Sequence, residues 1–176
     1  MATYSGDKKQ RDQDKGGTGA PPVHSFQSTR RNLPHMQEPG RVYFLTWRCR
    51  PKIKLSPPER TLVFDGLHHW DGSKWKIFTA AVLPDHVHAL VQPLPHPEGG
   101  IYHLAEILHS VKSFTSHKIS DLRGMKGSLW QDESYDRIVR NEAEFLEKWN
   151  YIRNNPVKAG LADRPENYAW LYERGG

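Results

Sequence analysis

His86-Val87-His88 sets two imidazoles one residue apart within the apolar run Ala80-Ala81-Val82-Leu83-Pro84-Asp85-His86-Val87-His88-Ala89-Leu90-Val91. On a strand, residues two apart share a face with Cα atoms roughly 6.5 Å apart, so a nitrogen of each ring can reach about 2.1 Å from one cation between them. The same alternation turns Val87, Ala89 and Val91 to the opposite face, where they can pack under helices. A second pair, Tyr151 and Asn155, is spaced for one face of a helix. Ala143, Phe145, Leu146, Trp149 and Ile152 recur at roughly helical spacing between Asn141 and Asn154. Residues four apart then stand on neighbouring turns, which presents a phenol, a possible nucleophile, beside a carboxamide oxygen, a ligand for a hard metal. With 10 histidines in the chain, the competing readings are surface or core histidines and an amphipathic tyrosine with its hydroxyl at the surface.

The elements that must position these residues follow from the pattern around them. Val42-Tyr43-Phe44-Leu45-Thr46-Trp47 is β-branched and aromatic and predicts a strand. Ser56 as N-cap before Pro57 and Pro58 predicts a helix over 57–69. Asp71-Gly72 turns the chain into a strand over 75–83, and Pro84-Asp85 connects it tightly to the histidine strand, 86–92, as a hairpin. The proline- and glycine-rich stretch 93–100 reads as a loop, and 101–119 as a helix with Leu104, Ile107, Leu108, Val111 and Phe114 on its buried stripe. A polar loop over 121–128, a short extended piece over 136–139 and the tyrosine helix over 142–154 complete the reading. Asn155 precedes Pro156, which biases it out of the helical region, and Asn154-Asn155-Pro156 reads as a helix stop. The order of elements predicts an α+β domain, an antiparallel sheet with helices packed on one face.

Composition bounds the function. A chain of 176 residues, 36% hydrophobic with six Trp, seven Tyr and six Phe, can bury one real core. Residues 1–30, polar and rich in Lys, Asp, Gln, Gly and Pro, read as a flexible basic leader, and 31–176 as a single domain. Lone Cys49 forms no internal disulfide, no apolar run approaches the roughly 20 residues of a membrane span, and the N-terminus is polar from Thr3, so the expectation is a soluble cytoplasmic protein with no membrane partner. A formal charge of +5 and a pI near 9.3 favour a polyanion without identifying one. Arg30, Arg31, Lys112, Lys118, Arg137 and Arg140 are candidate phosphate contacts or solvated surface. Trp130 is a candidate for stacking on an unpaired base or for packing.

Taken in order, six segments resemble the single-tyrosine HUH transposases, and among them the REP-associated tyrosine transposases. They are Arg30-Arg31-Asn32-Leu33-Pro34-His35 before Tyr43-Phe44-Leu45-Thr46-Trp47-Arg48, then Leu83-Pro84-Asp85-His86-Val87-His88, then Leu129-Trp130-Gln131, then Tyr135-Asp136-Arg137-Ile138-Val139-Arg140-Asn141, and Tyr151-Ile152-Arg153-Asn154-Asn155-Pro156-Val157-Lys158-Ala159-Gly160-Leu161. The resemblance implies a ferredoxin-like (RRM-like) sheet, with the histidine pair on a central strand and the tyrosine on a C-terminal helix. It further implies that His86 and His88 bind Mg²⁺ or Mn²⁺, with Asn155 a possible third ligand. Tyr151 would attack a DNA phosphodiester to give a 5′-phosphotyrosyl link and a free 3′-hydroxyl on single-stranded, hairpin-forming repeat DNA. Some relatives swap the tyrosine helix between subunits, so a monomer and a homodimer both stay open.

Tyr135, close to Arg137 and Arg140, competes for the role of nucleophile, and Asp85, His103 and His109 are candidate bases. Two other classes of function remain at this stage. A non-catalytic single-stranded nucleic-acid binder on the same fold would want exposed aromatics on its central strands, where the histidines stand. A zinc metallohydrolase would want a third His or a carboxylate at ligand spacing.

Overall fold

The computed structural model describes residues 37–175, so the leader expected over 1–30, with Arg30 and Arg31, lies outside the described residues. The elements run β1 (Tyr43–Cys49), α1 (Pro57–His68), β2 (Trp75–Val82), β3 (His86–Pro93), α2 (Leu104–Arg123), β4 (Trp130–Ile138), α3 (Glu142–Lys158), a 3₁₀ turn (Pro165–Asn167) and β5 (Leu171–Glu173). They form one antiparallel sheet in the order β4-β1-β3-β2-β5. The first four strands have the ferredoxin-like connectivity and order, which puts the histidine strand β3 at the centre.

Local chemistry accounts for the element ends. The Ser56 N–H donates to the Glu59 carboxylate at 2.7 Å, and prolines occupy the first turn of α1, where a missing N–H costs nothing. Gly124 closes α2 at φ 60°, a left-handed conformation that glycine adopts without a Cβ penalty. Asn141 caps α3 by accepting the Glu144 N–H at 2.9 Å.

Each face of the sheet has its own core. Tyr43, Leu45 and Trp47 of β1 with Val87, Ala89 and Val91 of β3 pack under α1 and α2, as alternation from the histidines requires. On the other face Phe44, Ala81, Leu83 and Leu90 pack with Val139 and Ile152, and Phe145 and Trp149 of α3 lie against them. The expectation of helices on one face therefore holds for α1 and α2, while α3 covers the histidine face. Its apolar stripe has to meet Phe44, Phe78 and Leu90, the residues that share that face with the imidazoles.

Several bounds differ from the sequence reading. β4 begins at Trp130 rather than near residue 136, α2 runs on to Arg123, and β5 was not anticipated. The stop expected at Asn154-Asn155-Pro156 is overturned, since α3 continues to Lys158 with Pro156 inside it. Ala159 N–H to Asn155 O at 2.9 Å and Leu161 N–H to Pro156 O at 2.9 Å carry the helical path past the proline. The C-terminal strand ties back to this helix: Glu173 of β5 accepts from Trp149 Nε1 at 2.9 Å and pairs with Arg153 at 3.1 Å. Among the described residues no helix is long and apolar enough to cross a membrane.

Candidate active site

Register fixes which side chains meet. His88 pairs with Thr46 on β1 and Ala81 on β2, His86 pairs with Arg48, and Thr46 pairs with Tyr135 on β4. Phe44, Thr46 and Arg48 of β1 thus share the face of His86, His88 and Leu90, with Tyr135 and Arg137 beside them on β4. The two imidazole centres lie 4.7 Å apart. Phe44 stacks on His88 at 5.6 Å with the planes 19° apart. From α3 above, the Tyr151 ring meets the His88 ring at 5.1 Å and the Phe44 ring at 6.0 Å, steeply inclined to both.

Both imidazoles are oriented through Nδ1. His86 Nδ1 lies 2.6 Å from the Asp85 carboxylate, and His88 Nδ1 lies 2.7 Å from Thr46 Oγ1. A carboxylate only accepts, so His86 donates through Nδ1 and its Nε2 carries the lone pair when the ring is neutral. Burial would raise the Asp85 carboxyl, but the hydrogen bond from His86 and the charges of His86, Lys54 and Arg48 hold it below the usual range. Burial pushes the His88 imidazole down to about 3, aided by the charges of His86 and Arg48, so near neutral pH this ring is uncharged. Its Nε2 is buried and has no hydrogen-bond partner.

An orphaned nitrogen alone is not a ligand. Trp47 Nε1 and His68 Nε2 are also buried without partners; the first is an indole donor, and the second belongs to a ring that meets Phe64 and Tyr172. His88 differs by its company, a second imidazole and a half-exposed phenol against the same ring. Metal-binding histidines characteristically spend one nitrogen on a carboxylate or hydroxyl and keep the other for the cation, which is the arrangement of both rings. Among the described residues no group of three or more His, Cys, Asp or Glu could hold a metal, so the ionisable set is these two imidazoles. Asn155 stands on α3 one turn beyond Tyr151, in helical conformation despite Pro156.

The other candidates divide. Trp130 is not available for base stacking: it is 1% exposed in the helix-side core, its Nε1 donates to Thr115 Oγ1 at 3.0 Å and its ring packs on Trp47. Lys112 is drawn into the fold, where its ammonium donates to Gln131 O at 2.7 Å and Asp132 O at 3.2 Å, and burial lowers its pKa against the opposing charge of Asp132. Lys118 is exposed on α2, on the other side of the sheet from the histidines. Arg137 lies on the histidine face, paired with Glu144 at 3.0 Å, and Arg140 is exposed just before α3. Tyr135 is 53% exposed and meets Phe44 at 6.3 Å. Of the candidate bases, Asp85 is at the site, whereas His103 and His109 belong to the start and outer surface of α2.

Sequence reasoning missed Phe44, Thr46 and Arg48 as members of the site. The signal was present in the alternation of β1, whose even-numbered residues share one face, but their pairing with β3 rather than β2 could not be read without the sheet order.

No family model matches the chain. Its sequence is similar to that of a Haemophilus influenzae protein named as a REP-associated tyrosine transposase, 23% identical over 134 residues, which cover 70% of this chain and 74% of that protein. Its fold is similar to that of a REP-associated tyrosine transposase solved bound to a REP hairpin, with a TM-score of 0.63 and 21% identity over 76% of this chain and 77% of the other. A transposase from Deinococcus radiodurans aligns with a TM-score of 0.46 and 17% identity over 64% of this chain and 88% of that one. The resemblance drawn from the motifs thus recurs in both sequence and fold comparisons.

Proposed function

We propose that the protein is a metal-dependent, single-strand DNA nicking and rejoining enzyme of transposase type that acts on hairpin-forming repeat DNA. The observation that carries this reading is the Tyr151 ring set against His88, whose buried Nε2 has no partner and whose neighbour His86 is oriented by Asp85. The name of the Haemophilus influenzae relative, and the REP hairpin bound in the solved relative, support the same substrate class.

In this reading His86 and His88 would hold Mg²⁺ or Mn²⁺ with the ring nitrogens not engaged by Asp85 and Thr46, and Asn155 would be the candidate for an oxygen ligand from α3. When bound, the cation polarises the phosphate oxygens and offsets charge in the transition state. Asp85 and Thr46 hold the two rings in register for it, and the uncharged state of His88 leaves a lone pair to offer. Tyr151 Oη attacks phosphorus, the bond to the departing 3′-oxygen breaks, and the 5′-phosphate remains on the tyrosine with a free 3′-hydroxyl released. Attack by a 3′-hydroxyl on that link rejoins the strand and frees the phenol, so the bond is conserved and no nucleotide cofactor is consumed. Arg48, exposed and in register with His86, is the cation best set to meet the phosphate.

The test is a hairpin oligonucleotide with a labelled single-stranded flank, incubated with Mg²⁺ or Mn²⁺ and run on a denaturing gel. The parent protein should carry label through the gel, and Tyr151→Phe, which removes one oxygen and keeps the ring, should carry none. No adduct in the parent with either metal overturns the proposal. An adduct that survives Tyr151→Phe and disappears in Tyr135→Phe moves the nucleophile to β4.

A further inference from the structure

We propose that Tyr135 is a base-stacking residue that holds a nucleobase beside the phosphodiester presented to Tyr151, an inference that rests on the nicking reaction proposed above. β4 is an edge strand, and α3 lies over β2 and β3, so the middle of β4 stays open on the histidine face. A polar residue would be the ordinary occupant of such a place. The chain sets a tyrosine there instead, 53% exposed, between exposed Ser134 and half-buried Asp136. The ring is not adrift: it is held against Phe44 at 6.3 Å and inclined by 69° to it, and its exposed half is open to a planar ligand.

Its place relative to the site is set by the sheet. Tyr135 pairs across the ladder with Thr46, and Thr46 pairs with His88 and hydrogen-bonds it, so all three stand in one row. Two strand spacings, about 10 Å, separate Tyr135 from His88, within reach of a base attached to a phosphate lying between them. Phe44 is the common floor, since both Tyr135 and Tyr151 pack steeply against it. The surroundings suit a polyanionic strand. Arg137 is two residues along β4 on the same face, and the Lys148 ammonium lies 5.7 Å from the centre of the Phe44 ring. Duplex bases offer no open ring face, whereas an unpaired base does, so the occupant is single-stranded DNA next to the hairpin rather than the hairpin stem. The ring contacts also separate the two tyrosines by role, because Tyr151 meets both Phe44 and His88 and Tyr135 meets Phe44.

The experiment uses the full chain and a hairpin oligonucleotide with a single-stranded flank in which 2-aminopurine replaces one flank base at a time, with metal omitted so that no strand is cut. The parent should quench the fluorescence strongly at one flank position or two adjoining ones. Tyr135→Ala should restore the fluorescence there and weaken binding about tenfold, while Tyr135→Phe, which keeps the ring, should recover the quench. A melting curve for Tyr135→Ala matching that of the parent separates lost stacking from lost folding, as expected for a half-exposed side chain. If Tyr135→Ala quenches as the parent does, or Tyr135→Phe behaves as Tyr135→Ala, the stacking role is overturned. If the parent forms the Tyr151 adduct but shows no quench at any position, the stacking role alone fails; if it neither forms the adduct nor binds the oligonucleotide, the nicking reaction fails with it.

Discussion

The two faces of the sheet are built from alternate residues of the same strands, yet they set their buried polar groups in different company. Under α1 and α2 the buried carboxylate and hydroxyls are closed off by partners, Glu59 by Arg123, Thr115 by Trp130 and by its own helix, and Ser116 by the Leu129 N–H, while the Trp47 indole N–H is left without one. Under α3, His88 is as deeply buried, at 3% exposure, but one of its two nitrogens is left unpaired within a group of rings. An unsatisfied buried polar atom costs about 1–3 kcal/mol, so both faces give up some stability, and on the second the unpaired atom belongs to an imidazole that meets another imidazole and a phenol. The lesson is one of division of labour: Val87, Ala89 and Val91 hold the strand in place so that His86 and His88 need not.

That contrast breaks most visibly at the histidines themselves. His86→Ala and His88→Ala should each reduce nicking on the order of 1,000-fold, the effect of losing a cation that offsets transition-state charge, with the protein still folded. The two should differ in stability, because His88 is enclosed by Phe44 and Tyr151 whereas His86 is partly open; a thermal melt should show the larger loss for His88→Ala. Parent-like nicking by either variant at saturating Mn²⁺ would remove the metal site from this face.

The opposite face supplies the converse. The Arg123 hydrogen bond, against the cost of burial, holds the Glu59 carboxyl at about 2 instead of 4.5, worth about 3 kcal/mol to the folded state. A depressed carboxyl contributes its full stability above its unfolded value, so the contribution is present above about pH 4.5 and is lost as pH falls through about 2. Glu59→Gln should therefore lower the urea midpoint at neutral pH and flatten the acid limb between those values, leaving nicking per folded molecule unaltered. An acid limb of the same steepness in the variant would mean that another carboxylate governs it.

Thr46→Val sharpens the comparison with a smaller effect. It keeps the volume on β1 but takes the partner from His88 Nδ1, and loss of such an orienting group typically costs 10–100-fold in metal affinity. The Mn²⁺ concentration for half-maximal nicking should rise by about that factor; an unchanged requirement would show that Thr46 fills space and nothing more.

Much of this arrangement was legible because it is periodic. The two-residue period around His86 separated the histidine face from the core face, and the helical period around Tyr151 put Asn155 one turn beyond it. What escaped depended on contacts distant in sequence. Trp130, a candidate for stacking on a base or for packing, is decided for packing by Thr115 and Trp47 around it. The first half of β4 carries little alternation because an exposed edge strand has no buried face to write it, and Gln131 through Tyr135 are polar or open for that reason. The bias of a residue before proline was sound as a local preference, yet packing of Ile152 and Pro156 keeps Asn155 in the helix.

The three residues of β5 have a significance out of proportion to their number. Glu173 grips Trp149 and Arg153, which bracket Tyr151 within one helical turn, while Leu171, Tyr172 and Glu173 are themselves laced to β2, the strand next to the histidines. The end of the described chain is thus a buckle that fastens the tyrosine to its own sheet. A chain buckled in this way brings its phenol to its own imidazoles, by means of a strand set on the far side of β2 from them.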